Sequence, residues 1–314
     1  MERQFIEQLS ARLPRHPQLL LGIGDDAALL RLASRADCVV TADLLADGTH
    51  FRLPSDDLRR VGRKALAVNL SDLAAMAARP VAAVVSLLLP RHNALSMATQ
   101  IYDGMLPMAE RFNVAIAGGD TNCWDGAPAI GVTAIGETTT RGVLRRDGAL
   151  AGDAILVTGS LGGSRLGKHF DFTPRVSEAL LLHRRFELHA AMDISDGLLI
   201  DLSRICAASG VGAQLDLGEI PISPAAEKWA SKISAAKRGI GRTPLEHALS
   251  DGEDFELLLT TSAEESRKII QQQPLDVPIT KIGQIVAGSG ITGRTASGDR
   301  QDLQPLGFEH GKMA

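Results

Sequence analysis

Val114-Ala115-Ile116-Ala117-Gly118-Gly119-Asp120-Thr121 reads as a short apolar strand that ends in two glycines and an acid. Four consecutive apolar residues bounded by turn-forming residues suit a buried strand better than a surface helix. The same grammar of short strand, glycine–aspartate turn and new element recurs in the second half. There Asp193-Ile194-Ser195-Asp196-Gly197 precedes the helical run Leu198–Ala208, and Leu249–Asp254 precedes the strand-like Phe255–Thr260. The repeat is too irregular for a solenoid.

Around that stretch, Cys38–Ala42, Val81–Leu89, Ala129–Ile135 and Ala154–Thr158 read as strands, and residues 94–112 as a helix. Residues 1–20 carry Phe5, Ile6 and Leu9 on one helical face. Residues 57–78 read as a long helical region broken near Asn69-Leu70-Ser71-Asp72, with Ser71 or Asp72 as an N-cap and Pro80 as the stop. The Gly/Ser-rich residues 286–302 suit a hairpin or loop. The fold class is therefore α+β (mixed α/β) in two domains. A boundary in the Thr-, Arg- and Gly-rich stretch near 137–150 gives residues 1–140 and 141–314.

Composition removes several function classes. With 33 basic and 37 acidic residues the net charge is −4, which does not suit a large nucleic-acid footprint. Phosphorylated substrates remain open, because bound cations reverse the sign of a local site. Cys38, Cys123 and Cys206 are far apart and form neither a zinc knuckle nor a disulfide framework. The polar start Met1-Glu2-Arg3-Gln4 leads into no apolar secretory core, and no apolar run reaches membrane-span length. A cytoplasmic enzyme is the expectation.

One motif tempts and fails. Gly162-Gly163-Ser164-Arg165-Leu166-Gly167-Lys168-His169 matches seven positions of a phosphate-binding loop. The eighth should offer a hydroxyl to magnesium, and His169 has none. The acidic motifs are more informative: Gly24-Asp25-Asp26, Thr41-Ala42-Asp43, Asn69–Asp72, Gly118–Thr121, Asp193–Gly197 and Asp251-Gly252-Glu253-Asp254. Singly, each also fits a turn or a helix cap. Together, most lie at the ends of apolar runs, where sheet edges gather them. Carboxylates that converge repel one another unless a cation intervenes, and hard magnesium ions accept such oxygens while bridging to phosphates. Gly22, Gly24, Gly118, Gly119, Gly159 and Gly162 allow a close backbone approach to phosphate, and helix N-termini beside them supply amide donors. His50 stands beside the strand carrying Asp43, and Arg146 offers a planar fork for phosphate.

In this order the motifs resemble thiamine-monophosphate kinase of the PurM-like ATP-binding superfamily. The likeness runs from about Phe5 to Phe308, through GIGDDAALL (22–30), TADLLADGTHF (41–51), GRKALAVNLSDLAAMAARP (62–80), GGDT (118–121), RRDGALAGDAILVTGSLGGS (145–164), MDISDGLLIDL (192–202) and SDGEDFELL (250–258). It implies phosphorylation of thiamine monophosphate by ATP to thiamine diphosphate, the last step in making that cofactor. It also implies several Mg2+ ions and a homodimer formed through the N-terminal domains. Carried over by position, the resemblance makes Asp26, Thr41, Ala42, Asp43, Asp72, Asp120, Asp193 and Asp196 the metal positions. Gly119, Asp120, Arg146 and Ser195 would contact ATP, and His50, Glu253 and Phe308 thiamine monophosphate. No residue is assigned as a general base. Ala42 departs from the family, which usually has a hydroxyl there, so any side-chain contact at that position is lost. Met76-Ala77-Ala78 and Asp251-Gly252 are milder departures.

Two rivals share many of these motifs: another PurM-like ATP-dependent synthetase, and a non-catalytic nucleotide-binding regulator. A selenophosphate synthetase would want a reactive cysteine near its start, and the first 37 residues have none. A hydrogenase-maturation factor would want one at its end, where this sequence reads Lys312-Met313-Ala314. Partners beyond ATP and thiamine monophosphate, such as nucleic acid or membrane, are not expected.

Overall fold

The computed structural model describes residues 9, 12–21, 29–33, 36–236 and 241–308. The expectations for Phe5, Ile6, Gly22, Gly24, Asp25 and Asp26 lie outside the described residues. The chain divides into two compact units, Met1–Leu73 with Ala78–Gly142, and Ala74–Ala77 with Val143–Ala314. No helix among the described residues is long and apolar enough to cross a membrane.

The first unit holds β1 (Leu19–Leu21), β2 (Leu29–Leu30), β3 (Cys38–Ala46), α1 (Leu58–Ala75), β4 (Arg79–Pro90), α2 (Ala94–Arg111), β5 (Ala115–Trp124) and β6 (Ala129–Glu137). Its main sheet has the order β3-β6-β4-β5, with β4 and β5 parallel and the other pairs antiparallel. One face is covered: Val81, Ala83, Val85, Leu87 and Leu89 of β4 are all buried. The other face is partly open, with Val40 60% and Leu44 63% exposed on β3. Helices α1 and α2 cross at glycines. A Cβ on Gly62 would sit 1.9 Å from the Ile101 carbonyl oxygen, and one on Gly104 would sit 1.7 Å from that of Arg59.

Two local expectations are corrected here. Helix α1 runs unbroken through Asn69–Asp72, so neither Ser71 nor Asp72 is an N-cap. The Asn69 amide donates to the Ala65 carbonyl one turn back, at 3.0 Å, which lets a polar residue sit inside the helix. The helix ends before Pro80, which lies inside β4; Ala77, with φ 51°, makes the turn. Gly118–Thr121 is likewise no turn. Those residues continue β5 and pair with Val84–Leu87 of β4.

The second unit continues with β7 (Ala154–Thr158), α3 (Lys168–Asp171), α4 (Val176–Arg185), β8 (Ala190–Asp193), α5 (Leu198–Ser209), β9 (Gly212–Asp216), α6 (Pro224–Ala236), α7 (Pro244–Ser250), β10 (Leu257–Thr261), α8 (Ala263–Gln272), β11 (Ile279–Val286), β12 (Ile291–Arg294) and β13 (Arg300–Leu303). Its seven-stranded sheet has the order β13-β12-β9-β11-β7-β10-β8, and β12–β9 is its parallel pair. Strands β7, β8 and β10 are buried at every position, so they read as continuous apolar runs and not as alternation. Ile155, Val157, Met192, Leu198, Leu202, Leu258 and Ile282 belong to the core that fixes these strand ends. The hairpin β12–β13 occupies the Gly/Ser-rich stretch near the end of the chain.

Candidate active site

In the first unit, Thr41 and Asp43 share a side of β3 with the buried Val39 and Leu45. Asp72, near the end of α1, meets them. The Thr41 hydroxyl donates to Asp72 Oδ2 at 2.5 Å, and Asp43 and Asp72 are hydrogen-bonded to each other. Burial first, and then the charge of Asp72, push the Asp43 carboxyl up to about 7. Two carboxylates in contact share a proton at neutral pH unless a cation takes its place. Three hard oxygen donors on adjoining elements fit a magnesium ion. Ala42 lies on the opposite, exposed side of β3 and offers no side-chain oxygen.

His50 follows β3. Its Nδ1 accepts from the Ala46 amide at 3.1 Å, so a neutral ring carries its proton on Nε2. Its carbonyl accepts from the Lys64 ammonium at 3.1 Å. Asp120 and Gly119 lie on β5, the far edge of the same sheet. Asp120 falls in register with Ser86, Gly131 and Leu44, on the open face. Three strand spacings, about 14 Å, separate β3 from β5. Asp43 and Asp120 also point to opposite faces, so within one chain they do not share an ion. Gly119 serves the sheet: a Cβ there would come 1.8 Å from the Val85 carbonyl oxygen.

In the second unit the loop after β8 gathers four predicted residues. The Glu253 amide donates to the Ser195 carbonyl at 2.6 Å, and the Phe308 amide to the Asp196 carbonyl at 2.9 Å. Glu253 has φ 66° and Phe255 φ 51°, a backbone that turns their segment against the loop. The Phe255 amide in turn donates to the Ile194 carbonyl at 2.8 Å. Asp193 is buried at the end of β8. Asp196 pairs with Arg204 at 2.7 Å. Phe308 is 41% exposed. Arg146 is exposed, and its guanidinium has no partner among the described residues, whereas its neighbour Arg145 is paired with Asp147.

The phosphate-loop look-alike is spent internally. The Gly162 amide donates to Asp254 Oδ1 and Oδ2 at 3.0 and 2.8 Å, and the Gly163 amide to Asp251 Oδ2 at 3.1 Å. Lys168 reaches the Ser160 carbonyl and the buried Glu256, at 3.0 and 2.8 Å. Arg175 grips the same Glu256 with two nitrogens, at 2.7 and 2.8 Å.

Comparisons with known proteins align with both halves. The family model described as AIR synthase related protein, N-terminal domain, matches residues 24–138, and the corresponding C-terminal domain matches 150–295. The thiamine-monophosphate kinase of Rhodopirellula baltica is 43% identical, over 99% of this chain and 98% of that protein. The chain belongs to the thiamine-monophosphate kinase family. The thiamine-monophosphate kinase structure from Stenotrophomonas maltophilia K279a superposes with a TM-score of 0.76 at 35% identity, covering 93% of this chain and 94% of that one. The structure of AaThiL complexed with AMPPCP and TMP gives 0.76 at 28% identity, covering 98% and 95%.

Among the residues of this thiamine-monophosphate kinase family member that sequence reasoning passed over are Lys64, Asp201, Arg204 and Glu256. Lys64, Asp201 and Glu256 are almost wholly buried charges. Each lies in or beside a motif already singled out, but burial of a charge is not visible in sequence. The one available signal was Asp201 itself, an acid one turn into a helix that follows a glycine turn.

Proposed function

We propose that the chain transfers the γ-phosphoryl group of ATP to thiamine monophosphate, giving ADP and thiamine diphosphate. The observation that carries this reading is the near full-length match to thiamine-monophosphate kinases, with AaThiL held alongside AMPPCP and TMP. Around the Asp193–Gly197 loop, Ser195 is the ATP-side residue, and Glu253 and Phe308 are the acceptor-side residues. The two backbone hydrogen bonds of that loop to Glu253 and Phe308 support such a division.

The acceptor is a phosphate monoester with a second pKa near ~6, already ionised at neutral pH, so the transfer is direct and in line and needs no general base. Positioning and electrostatics are the main contributions. Phe308 offers a ring face to the thiamine rings, and Glu253 and His50 bind the rest of the acceptor. Arg146, with Gly119 and Ser195, engages ATP. Several magnesium ions would neutralise the phosphates, with Asp43, Asp72 and Thr41 as metal positions of the first unit, Asp193 and Asp196 as separate positions of the second, and Asp26 and Asp120 as further ones. At Ala42 only the backbone can contribute.

The N-terminal half, residues 1–140, is on this reading the ATP- and magnesium-binding and dimerisation domain, and 141–314 the second domain. The open face of its sheet, with Val40 and Leu44 exposed, suits a second copy. Asp120 lies in that same face. A cytoplasmic homodimer is the assembly proposed.

A coupled ADP-release assay with thiamine monophosphate, with and without magnesium, tests the reading. Magnesium-dependent ADP release that requires thiamine monophosphate is the expected result. Tight ATP binding without ADP release would favour a nucleotide-binding regulator.

A further inference from the structure

Asp201 lies in the first turn of α5 and is fully buried. Its Oδ2 accepts three consecutive backbone amides, those of Ser195, Asp196 and Gly197, at 3.0, 3.0 and 3.1 Å. Its Oδ1 takes Arg204 Nη1 at 2.6 Å, and Arg204 Nη2 reaches on to Asp196 Oδ2 at 2.7 Å. The loop's N–H side is thus committed inward to one carboxylate. The carbonyls of Ser195 and Asp196 accept the amides of Glu253 and Phe308, so the same loop carries both residues. Gly197 completes the geometry: its φ is 127°, and a Cβ there would come 3.1 Å from the Ser250 backbone.

We propose that Asp201, locked by Arg204, is the positioning residue of this site, setting Ser195 and Asp196 on the nucleotide side and Glu253 and Phe308 on the acceptor side together. This inference rests on the kinase reading. A three-amide cage with its second oxygen tied to an arginine has almost no freedom to shift. Charge-assisted bonds of this kind are about twice as strong as neutral ones. The groups this loop sets contact both substrates already in the bound ground state, so displacing it weakens binding of both, which is read in KM. An ordinary helix cap would stabilise α5 but leave both Michaelis constants alone.

The test is Asp201→Asn in the full chain, with KM measured for ATP and for thiamine monophosphate. Asparagine keeps the shape but surrenders the charge that locks Arg204. Both KM values are expected to rise, by about tenfold each, as weakened binding of both substrates requires. A lower kcat with both KM values unchanged, or a rise in only one, overturns the proposal. Hydrogen exchange supplies a readout free of activity. In Asp201→Asn the amides of Glu253 and Phe308 should exchange faster together with those of residues 195–197. Acceleration confined to 195–197 also overturns it. If Asp201→Asn does not fold, Arg204→Gln replaces it in both measurements, with the same directions expected and the same outcomes decisive. Wild-type enzyme that releases no ADP with thiamine monophosphate defeats the kinase reading alone, and the exchange experiment still decides the positioning role.

Discussion

Asp254 holds the Gly162 amide with both of its carboxylate oxygens, at 3.0 and 2.8 Å, and takes the Ser164 hydroxyl at 2.5 Å. The glycine-rich loop that resembles a phosphate cradle is therefore filled by the chain's own acid. Burial pushes the Asp254 carboxyl up to about 7, against the lowering effect of Lys168, Ser164 and Gly162.

A pH dependence follows from that carboxyl. A carboxyl whose folded pKa is raised from 3.8 to about 7 binds more protons in the folded state between those values. Its contribution is fully present below the unfolded pKa and is lost as pH rises through the folded one. Asp254→Asn, which stays neutral, should therefore gain stability relative to wild type as pH rises from 4 to 8, by roughly 2–4 kcal/mol. Thermal midpoints of both proteins across that range check it. A constant difference would mean that Asp254 titrates normally.

At the crossing of α1 and α2, Gly62→Ala and Gly104→Ala should each destabilise the protein. In an exposed helix the change from glycine to alanine gains up to about 1 kcal/mol. Here the added methyl meets a backbone carbonyl oxygen at 1.9 or 1.7 Å, and the helices must separate. A loss of about 2–4 kcal/mol in urea unfolding is expected for each. Stabilisation by either substitution would show that the helices do not approach so closely.

Asp72→Asn should lower kcat by about 100-fold and raise the magnesium concentration needed for half-maximal rate, with the fold retained. Asp72 is the acceptor of the Thr41 hydroxyl and the partner of Asp43. Near-normal turnover at low magnesium would remove this cluster from the metal positions.

Phe308→Ala should raise the KM for thiamine monophosphate by about fivefold to tenfold and that for ATP by less than twofold. The ring is 41% exposed, and the backbone amide stays bonded to the Asp196 carbonyl whatever the side chain. Equal losses for both substrates would undercut a stacking role.

Much of the architecture was legible because apolar runs declare buried strands. Ala154–Thr158, Ala129–Ile135 (two residues longer in the structure) and the turn before Leu198 fall where the alternation of apolar runs and glycine–acid turns put them. The misreadings share one cause. Asn69 satisfies itself on Ala65 inside α1, and Gly118–Thr121 is held in strand form by β4. Local residue preference indicated a break in both places, and a hydrogen bond or a neighbouring strand supplied the compensation.

By itself the sequence determined the α+β class, the failure of the glycine-rich loop at His169, and an ordered set of acids specific enough to name a family. Those are properties of residue identity and order. Only the tertiary structure decided that Asp43 meets Asp72 while Asp120 lies three strands away on the opposite face. It alone buried Lys64, Asp201 and Glu256. A charge is buried, and an acid finds its partner, through which elements pack together, and that packing joins residues whose separation along the chain carries no trace of it.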